Sequence, residues 1–536
     1  MKKIKIFLPF LCSILSLFIT SCNNNYFKEV SSELNNTLLW NLTSSKLTTW
    51  DPHLSNSSVV ADINRQLFEG LTVLGENGYE LGVAKKISVS SNSEGIENTI
   101  YTFKLRKDAR WSDGKNVTAY DFEYSLKRAC EQDDNVSKLF EVYIKGADKY
   151  INGIGSKDDI RVKAIDEYTL EIELNEPVPY FLDILTMPQF LPVRKDIIEN
   201  VIEGWETNPK TCISNGPFKL YSYEPDSHVL LSKNNYYYDK ENVKLQFIKC
   251  LINTHGGNLD KMFNNNEVHI MEIYPNGIIE GDGVLYSRYI GTSYIVFNTK
   301  ITPFNDLNLR KAFSYAIDRE YYCNNFYLDS VQSYGIIPPN MKLSDDTTFE
   351  EKRKKADYLD NVDLEKAKQL LNITRTRNIN AIQIVELTTG NENYGNIIKN
   401  MLENNLDIKV NLKVVEFEEL MNIGNTGKFE LITMSYTADF NDPMTFFLNF
   451  SNSSKDKNRW YNEYFENEIA STFITQDELR DQHLINAEKI LIEKLPAIPI
   501  YHYRNCYLFN DKIIGNLKCD ALGNLILKNC ILNINN

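Results

Sequence analysis

Residues 101–129, YTFKLRKDARWSDGKNVTAYDFEYSLKRA, read as a strand, a turn and a helix in that order. The strand covers TIYTFKLR (99–106), whose apolar residues alternate as on a half-buried sheet face. Asp113-Gly114 marks the turn. Thr118 is the expected N-cap of the helix, with Asp121 three residues on as in a capping box, and Phe122, Leu126 and Ala129 form its apolar stripe. Around this unit, from Leu38 to Phe190, short strands and turns dominate, including a hairpin over 162–174 that turns at Asp166-Glu167. Prolines at 177, 179, 188 and 192 then break regular structure and mark a passage between lobes.

Further on, GPFKLYSYEPDSHVLLSKNNYYYD (216–239) predicts two strands joined at Glu224-Pro225-Asp226. The second half alternates between strand and helix. SYIVFNT (293–299) is a strand and NLRKAFSYAIDREYYCNNF (308–326) a helix, a second helix covers about 363–372, and 395–415 gives a helix followed by a strand. IPIYHYRNCYLFN (498–510) is strand-like and is expected to return to the first lobe. With 536 residues the chain exceeds what one hydrophobic core holds, so at least two lobes are expected.

The N-terminus, MKKIKIFLPFLCSILSLFITSC, carries three lysines and an apolar run from Ile6 to Ile19, too short to span a bilayer. It reads as a secretory signal. Ile19-Thr20-Ser21-Cys22 resembles a bacterial lipobox, which implies lipid attachment at Cys22 and a polar tether over 22–36. Loss of residues 1–21 removes three lysines and no acid, taking the formal net charge from −14 to −17. Such a protein repels nucleic-acid phosphates. Seven further cysteines (130, 212, 250, 323, 506, 519 and 530) permit a bridge among Cys506, Cys519 and Cys530 but do not compel one. The six histidines share no helical ligand spacing, and no HExxH, CxxC, P-loop or G-x-S-x-G motif occurs. The expectation is a binder that is not an enzyme and has no cofactor.

One acid stands out. In TADFNDPMTFF (437–447), after the strand-like FELITMSY, Asp439 lies among Tyr436, Ala438 and Phe440. A carboxylate buried without a partner costs several kcal/mol, roughly, so it faces water or awaits a cation.

Five blocks, TTWDPHLSNSSVVADINRQLFEGLTV, YTFKLRKDARWSDGKNVTAYDFEYSLKRA, SNGPFKLYSYEPDSHVLLSKNNYYYD, PFNDLNLRKAFSYAIDRE and TADFNDPMTFFLNFSNSS, resemble the oligopeptide-binding proteins of bacterial ABC importers, in family order over almost the whole mature chain. The resemblance implies an α/β, two-lobed periplasmic-binding-protein fold with mixed sheets. Lobe I would comprise 37–58, 188–290 and 498–536, an inserted domain 59–187, and lobe II 291–497. A monomer lipid-anchored at a membrane, in the periplasm or at the cell surface, would pass an oligopeptide to a permease and ATPase. The peptide would bind as an added strand, its ammonium on Asp439 and its backbone along Ser435, Tyr436 and Thr437 and, from the other lobe, Lys46, Leu47 and Thr48. Departures bear on specificity. Thr433 replaces an arginine that meets the peptide carboxylate in relatives, and no histidine stands at 391–394. Lys300 either keeps a carboxylate-anchoring role or is a solvated loop lysine. Glu272 and Ile273 replace a tyrosine–asparagine pair, and the extra acid favours a basic or diamino ligand. A murein peptide-binding protein for cell-wall recycling is the alternative within this class, and a secreted peptide hydrolase the alternative outside it. A hydrolase would return shortened products where a binder returns intact ligand.

Overall fold

The computed structural model describes residues 36–533 apart from 43–46, 48, 55–56, 133, 202, 253–257, 274–282, 326–328, 354–358, 360, 378–381 and 452–459. Residues 1–21, expected to be a secretory signal, and Cys22, Lys46 and Thr48 therefore lie outside the described residues. Two large mixed sheets organise the molecule. The first runs, in order, Val284–Tyr286, Cys506–Phe509, Ile270–Ile273, Thr37–Asn41, Phe247–Leu251, His228–Lys233, Phe218–Glu224. Its centre is parallel, since Thr37–Asn41 pairs in that sense with both neighbours, and its flanks are antiparallel. The second runs Val331–Gln332, Ala497–Tyr503, Gly291–Phe297, Leu431–Thr437, Ile384–Thr389, Lys409–Val414. One hydrophobic cluster fills the first lobe and the inserted domain and continues into the second lobe through Tyr294, Phe440, Phe447 and Leu484, and another lies within the second lobe.

The inserted domain is an antiparallel sheet of Ala84–Ser90, Ile100–Leu105, Thr169–Glu173 and Val162–Asp166. The helix Ala119–Ala129 packs on it with Phe122, Leu126 and Ala129 fully buried. Its start follows from the local sequence: the Asp121 carboxylate accepts the Thr118 N–H at 2.8 Å and the Thr118 hydroxyl at 2.9 Å. At the other end, Arg128 ties this domain to the first lobe. Its guanidinium donates to both oxygens of buried Asp51, at 2.9 and 2.6 Å, and the Trp205 indole adds a bond at 3.0 Å. Burial pushes the Asp51 carboxyl up, but Arg128 and His53 outweigh it and hold it below the ordinary value.

Two expectations change. The helix predicted over 308–326 is two helices, Leu307–Ala316 and Arg319–Asn325, because Ile317 turns extended (φ −98°, ψ 116°) and Asp318 caps the second by accepting the Tyr321 N–H at 2.8 Å. The run 498–510 does not belong wholly to the first lobe. Ala497–Tyr503 pairs with Gly291–Phe297 in the second sheet, and only Cys506–Phe509 joins the first, so the return crossing falls at Arg504-Asn505 rather than at 498. The outward crossing, between Tyr286 and Gly291, runs beside it: Ser287 N–H donates to Asn505 C=O at 2.9 Å and Ile290 N–H to Tyr503 C=O at 3.0 Å. The segment with prolines 177–192 leads back from the inserted domain to the first sheet. Cys506, Cys519 and Cys530 are all free thiols. Among the described residues no helix is long and apolar enough to cross a membrane.

Candidate functional site

The strand Leu431–Thr437 enters the second core with Leu431, Ile432 and Thr433 buried and leaves it with Ser435 and Thr437 exposed. On one side it pairs with Gly291–Phe297 along its whole length, bringing Ser435 opposite Ser293, Tyr436 opposite Thr292 and Thr437 opposite Gly291. On the other side its pairing with Ile384–Thr389 stops at Thr388 opposite Ile432. From Thr433 to Thr437 that edge carries no ladder partner among the described residues. Such an edge is a template for an added strand.

Asp439 sits where this edge ends. Ala438 N–H donates to Ile290 C=O at 2.9 Å, which fixes the exit of the strand against the crossing segment. The Tyr436 hydroxyl donates to Asp439 Oδ2 at 2.6 Å and lies 2.9 Å from Thr445 Oγ1, which in turn accepts the Asp439 N–H at 3.1 Å. Burial pushes the Tyr436 hydroxyl well above the ordinary phenol range and the Asp439 carboxylate adds to it, so the phenol stays protonated and donates. The carboxylate is thus held in place while Asp439 remains exposed to the cavity. Next to it, Asp442 Oδ1 accepts the Met444 N–H at 2.9 Å, forming an Asx turn across Pro443.

The cavity has a volume of about 880 Å³ and is lined from both sheets. The second lobe contributes Ser435, Thr437, Asp439, Tyr501 and Tyr503. Across from them stand Glu272 and Ile273 at the end of Ile270–Ile273, Tyr507, Asn524, and Asp62 and Arg65 on the helix Ser58–Leu67. The crossing segments supply Ile290, Arg504 and Asn505. Arg504 lies 4.1 Å from the Tyr286 ring centre and 5.0 Å from that of Tyr289, and donates to Asp329 Oδ1 at 2.7 Å. Burial works against its charge, but Asp329 outweighs it and raises the guanidinium pKa.

Of the residues singled out from the sequence, Asp439, Ser435, Thr437 and Glu272 line the cavity, and Tyr436 stands behind Asp439. Leu47 is buried in the first core and is not among the lining residues. Lys300 is exposed on the turn after Phe297, at the end of its strand opposite Gly291, and does not line the cavity. Thr433 is buried, with its hydroxyl on Thr389 Oγ1 at 2.8 Å. Asn391 caps the helix Glu392–Leu406 through the Tyr394 N–H. The two arginines of the cavity, Arg65 and Arg504, were missed. Arg504 could have been noticed as the cation breaking the apolar alternation of 498–510.

The family model "Bacterial extracellular solute-binding proteins, family 5 Middle" matches residues 82–458. The chain is 30% identical over 488 residues to the oligopeptide-binding protein OppA of Bacillus subtilis (strain 168), covering 87% of each. It is 29% identical to the periplasmic murein peptide-binding protein MppA of Escherichia coli (strain K12), covering 84% of this chain and 85% of that one. The crystal structure of the periplasmic oligopeptide-binding protein OppAIV from Borrelia burgdorferi superposes with a TM-score of 0.75 at 27% identity, over 92% of this chain and 100% of that one. The fold is that of the two-lobed periplasmic binding proteins, and the chain belongs to the bacterial extracellular solute-binding proteins of family 5.

Proposed function

We propose that the protein captures oligopeptides outside the cytoplasm and hands them to an ABC importer, held at the membrane by lipid on Cys22. The observation that carries this reading is the strand edge Thr433–Thr437, which has no ladder partner among the described residues and ends at Asp439 on the wall of the cavity between the two sheets. A peptide lying antiparallel or parallel to that edge gains main-chain hydrogen bonds whatever its side chains, and its ammonium reaches the carboxylate at the edge's end. Such a charge-assisted bond contributes roughly 1.5–3 kcal/mol, and more of it survives where the cleft excludes water. Backbone recognition favours breadth, and a cavity of about 880 Å³ leaves room for side chains with their water. The similarity to murein peptide-binding MppA supports a second reading, a cell-wall peptide as the ligand.

Asp439→Asn should weaken free-amine tripeptides at least about tenfold, roughly 1.4 kcal/mol, in titration calorimetry while leaving the melting temperature almost unchanged. Acetylating the peptide N-terminus should cost the parent protein the same factor and the variant nothing further. Equal affinities of parent and variant would refute the assignment. Intact rather than shortened peptides should be recovered after incubation.

A further inference from the structure

An asparagine followed by glycine is open to attack on its own side chain, because glycine puts no Cβ in the way of the main-chain nitrogen. The chain has four such pairs, at 77–78, 152–153, 215–216 and 276–277, the last of them outside the described residues. The other three stand in different surroundings. Asn215 is buried, with Nδ2 on Glu69 C=O at 2.8 Å and Oδ1 taking the Glu69 N–H at 3.0 Å, so its amide is locked at both ends. Asn152 is exposed and donates from Nδ2 to Glu141 Oε1 at 3.1 Å and to Asp148 C=O at 2.8 Å. Asn77 is exposed as well, but there the carbonyl is engaged: Arg288 Nη2 donates to Asn77 Oδ1 at 2.8 Å.

The fold itself asks for the glycine. Gly78 has φ +133°, and a Cβ on it would lie 3.1 Å from Asn441 Nδ2 of the second lobe. It closes the ladder of the hairpin Thr72–Leu81 opposite Gly75, and a ribbon of only two strands opens easily at such an end. Around it the tip is tied down: Gly75 C=O accepts the Ala521 N–H at 2.9 Å, and Glu76 meets Lys518 at 2.7 Å. Arg288 belongs to the outward crossing, beside Tyr289, whose N–H donates to Asn340 Oδ1 at 3.2 Å. With the end rung open, the Gly78 nitrogen loses its proton to water and attacks Asn77 Cγ. The N–Cγ bond forms, the Cγ–Nδ2 bond breaks, and Nδ2 takes a proton and leaves as ammonia. Water then opens the cyclic imide to aspartate or isoaspartate. Negative charge gathers on Oδ1 during the attack, and that is the oxygen the guanidinium holds. We propose that Asn77 is a site of spontaneous deamidation assisted by Arg288. The acid so formed pairs with Arg288, turning a neutral contact between the inserted domain and the crossing into an ion pair.

The test follows deamidation of the full chain by peptide mapping in mass spectrometry at mildly alkaline pH, with Asn152 as the internal clock. Relative to Asn152, Asn77 should convert about threefold to tenfold faster in the folded parent than in the same chain unfolded in urea, the range one hydrogen bond contributes. Asn215 should stay an amide in the folded protein. Arg288→Met should remove the excess at Asn77 and Arg288→Lys should keep part of it, with the Asn152 rate unchanged in both. No excess in the folded parent overturns the proposal, as does an excess that persists or grows in Arg288→Met. For the pairing, Asn77→Asp should melt higher than the parent at low salt and lose that gain when Arg288→Met is added; no gain overturns the ion pair. The comparison of folded and unfolded parent needs no substitution, so it decides the matter even where a variant folds poorly.

Discussion

Two contacts between the lobes, both among the described residues, differ in their bonds. At the crossings the contact is mostly main chain: Ser287 N–H donates to Asn505 C=O and Ile290 N–H to Tyr503 C=O, and Asn505 N–H adds a bond to the Ser287 hydroxyl at 2.9 Å. Between the inserted domain and the second lobe it is side chains: the Tyr180 ring stacks on Phe440 with centres 4.9 Å apart and planes 2° apart, and Arg480 covers Tyr180 while bonding Asp442 at 2.8 Å. The cavity lies between these contacts, touching Arg504 and Asn505 on one side and Pro188 and Asp439 on the other. Paired strands joined by the chain itself can bend without letting go, whereas a ring stack can part cleanly. Were the lobes to part, the first would act as a hinge and the second as a clasp.

The largest effect is expected where the inserted domain loses its seat on the first lobe. Arg128→Met strands the buried Asp51 carboxylate and should lower the unfolding free energy by about 3–5 kcal/mol in urea titration, with the clasp lost because its carrier no longer moves with the first lobe.

The contact at Tyr180 and Phe440 should also respond to pH. Burial, reinforced by the Asp442 carboxylate, pushes the Asp183 carboxyl up to about 7, against the opposing pull of the Tyr79 N–H and Arg480. An acid whose pKa is raised in the closed state and ordinary when exposed favours closure fully below about 4, and that contribution fades as pH rises through 7. Peptide affinity should therefore decline from pH 4 to pH 7, by at most about 1.4 kcal/mol per unit, and Asp183→Asn should flatten the profile. A profile that keeps its slope in the variant would remove Asp183 from the clasp.

The smallest change concerns the stack alone. Phe440→Leu keeps an apolar filler but loses the ring pair, about 0.5–1.5 kcal/mol, so peptide affinity should fall several-fold and the ligand-free protein should expand in small-angle scattering. A substitution that leaves both unchanged would show that closure does not draw on this contact.

What could be read from the sequence is what neighbours in the chain determine. The Thr118–Asp121 cap, the hairpin over 162–174 and the turn at Glu224-Pro225-Asp226 follow from residues a few positions apart, and all stand where expected. The break at Ile317-Asp318 was missed because the apolar period continues past it, although Asp318 is itself a cap residue. The crossing at Arg504-Asn505 was hidden for a related reason: one unbroken strand-like run feeds two sheets. At the site, Asp439 was marked by the family resemblance and lies on the cavity wall, where its anchors, Tyr436 and Thr445, are close to it in sequence. The Arg504–Asp329 pair was not legible, since 175 residues separate its members.

The order of strands also constrains when this chain can become native. Cys506–Phe509 lies inside the first sheet, between Val284–Tyr286 and Ile270–Ile273, and Ala497–Tyr503 lies inside the second, so both stay incomplete until the last forty or so residues arrive. A polypeptide threaded N-terminus first through a secretion pore would emerge with neither half able to finish, and would assemble only after its tail was through.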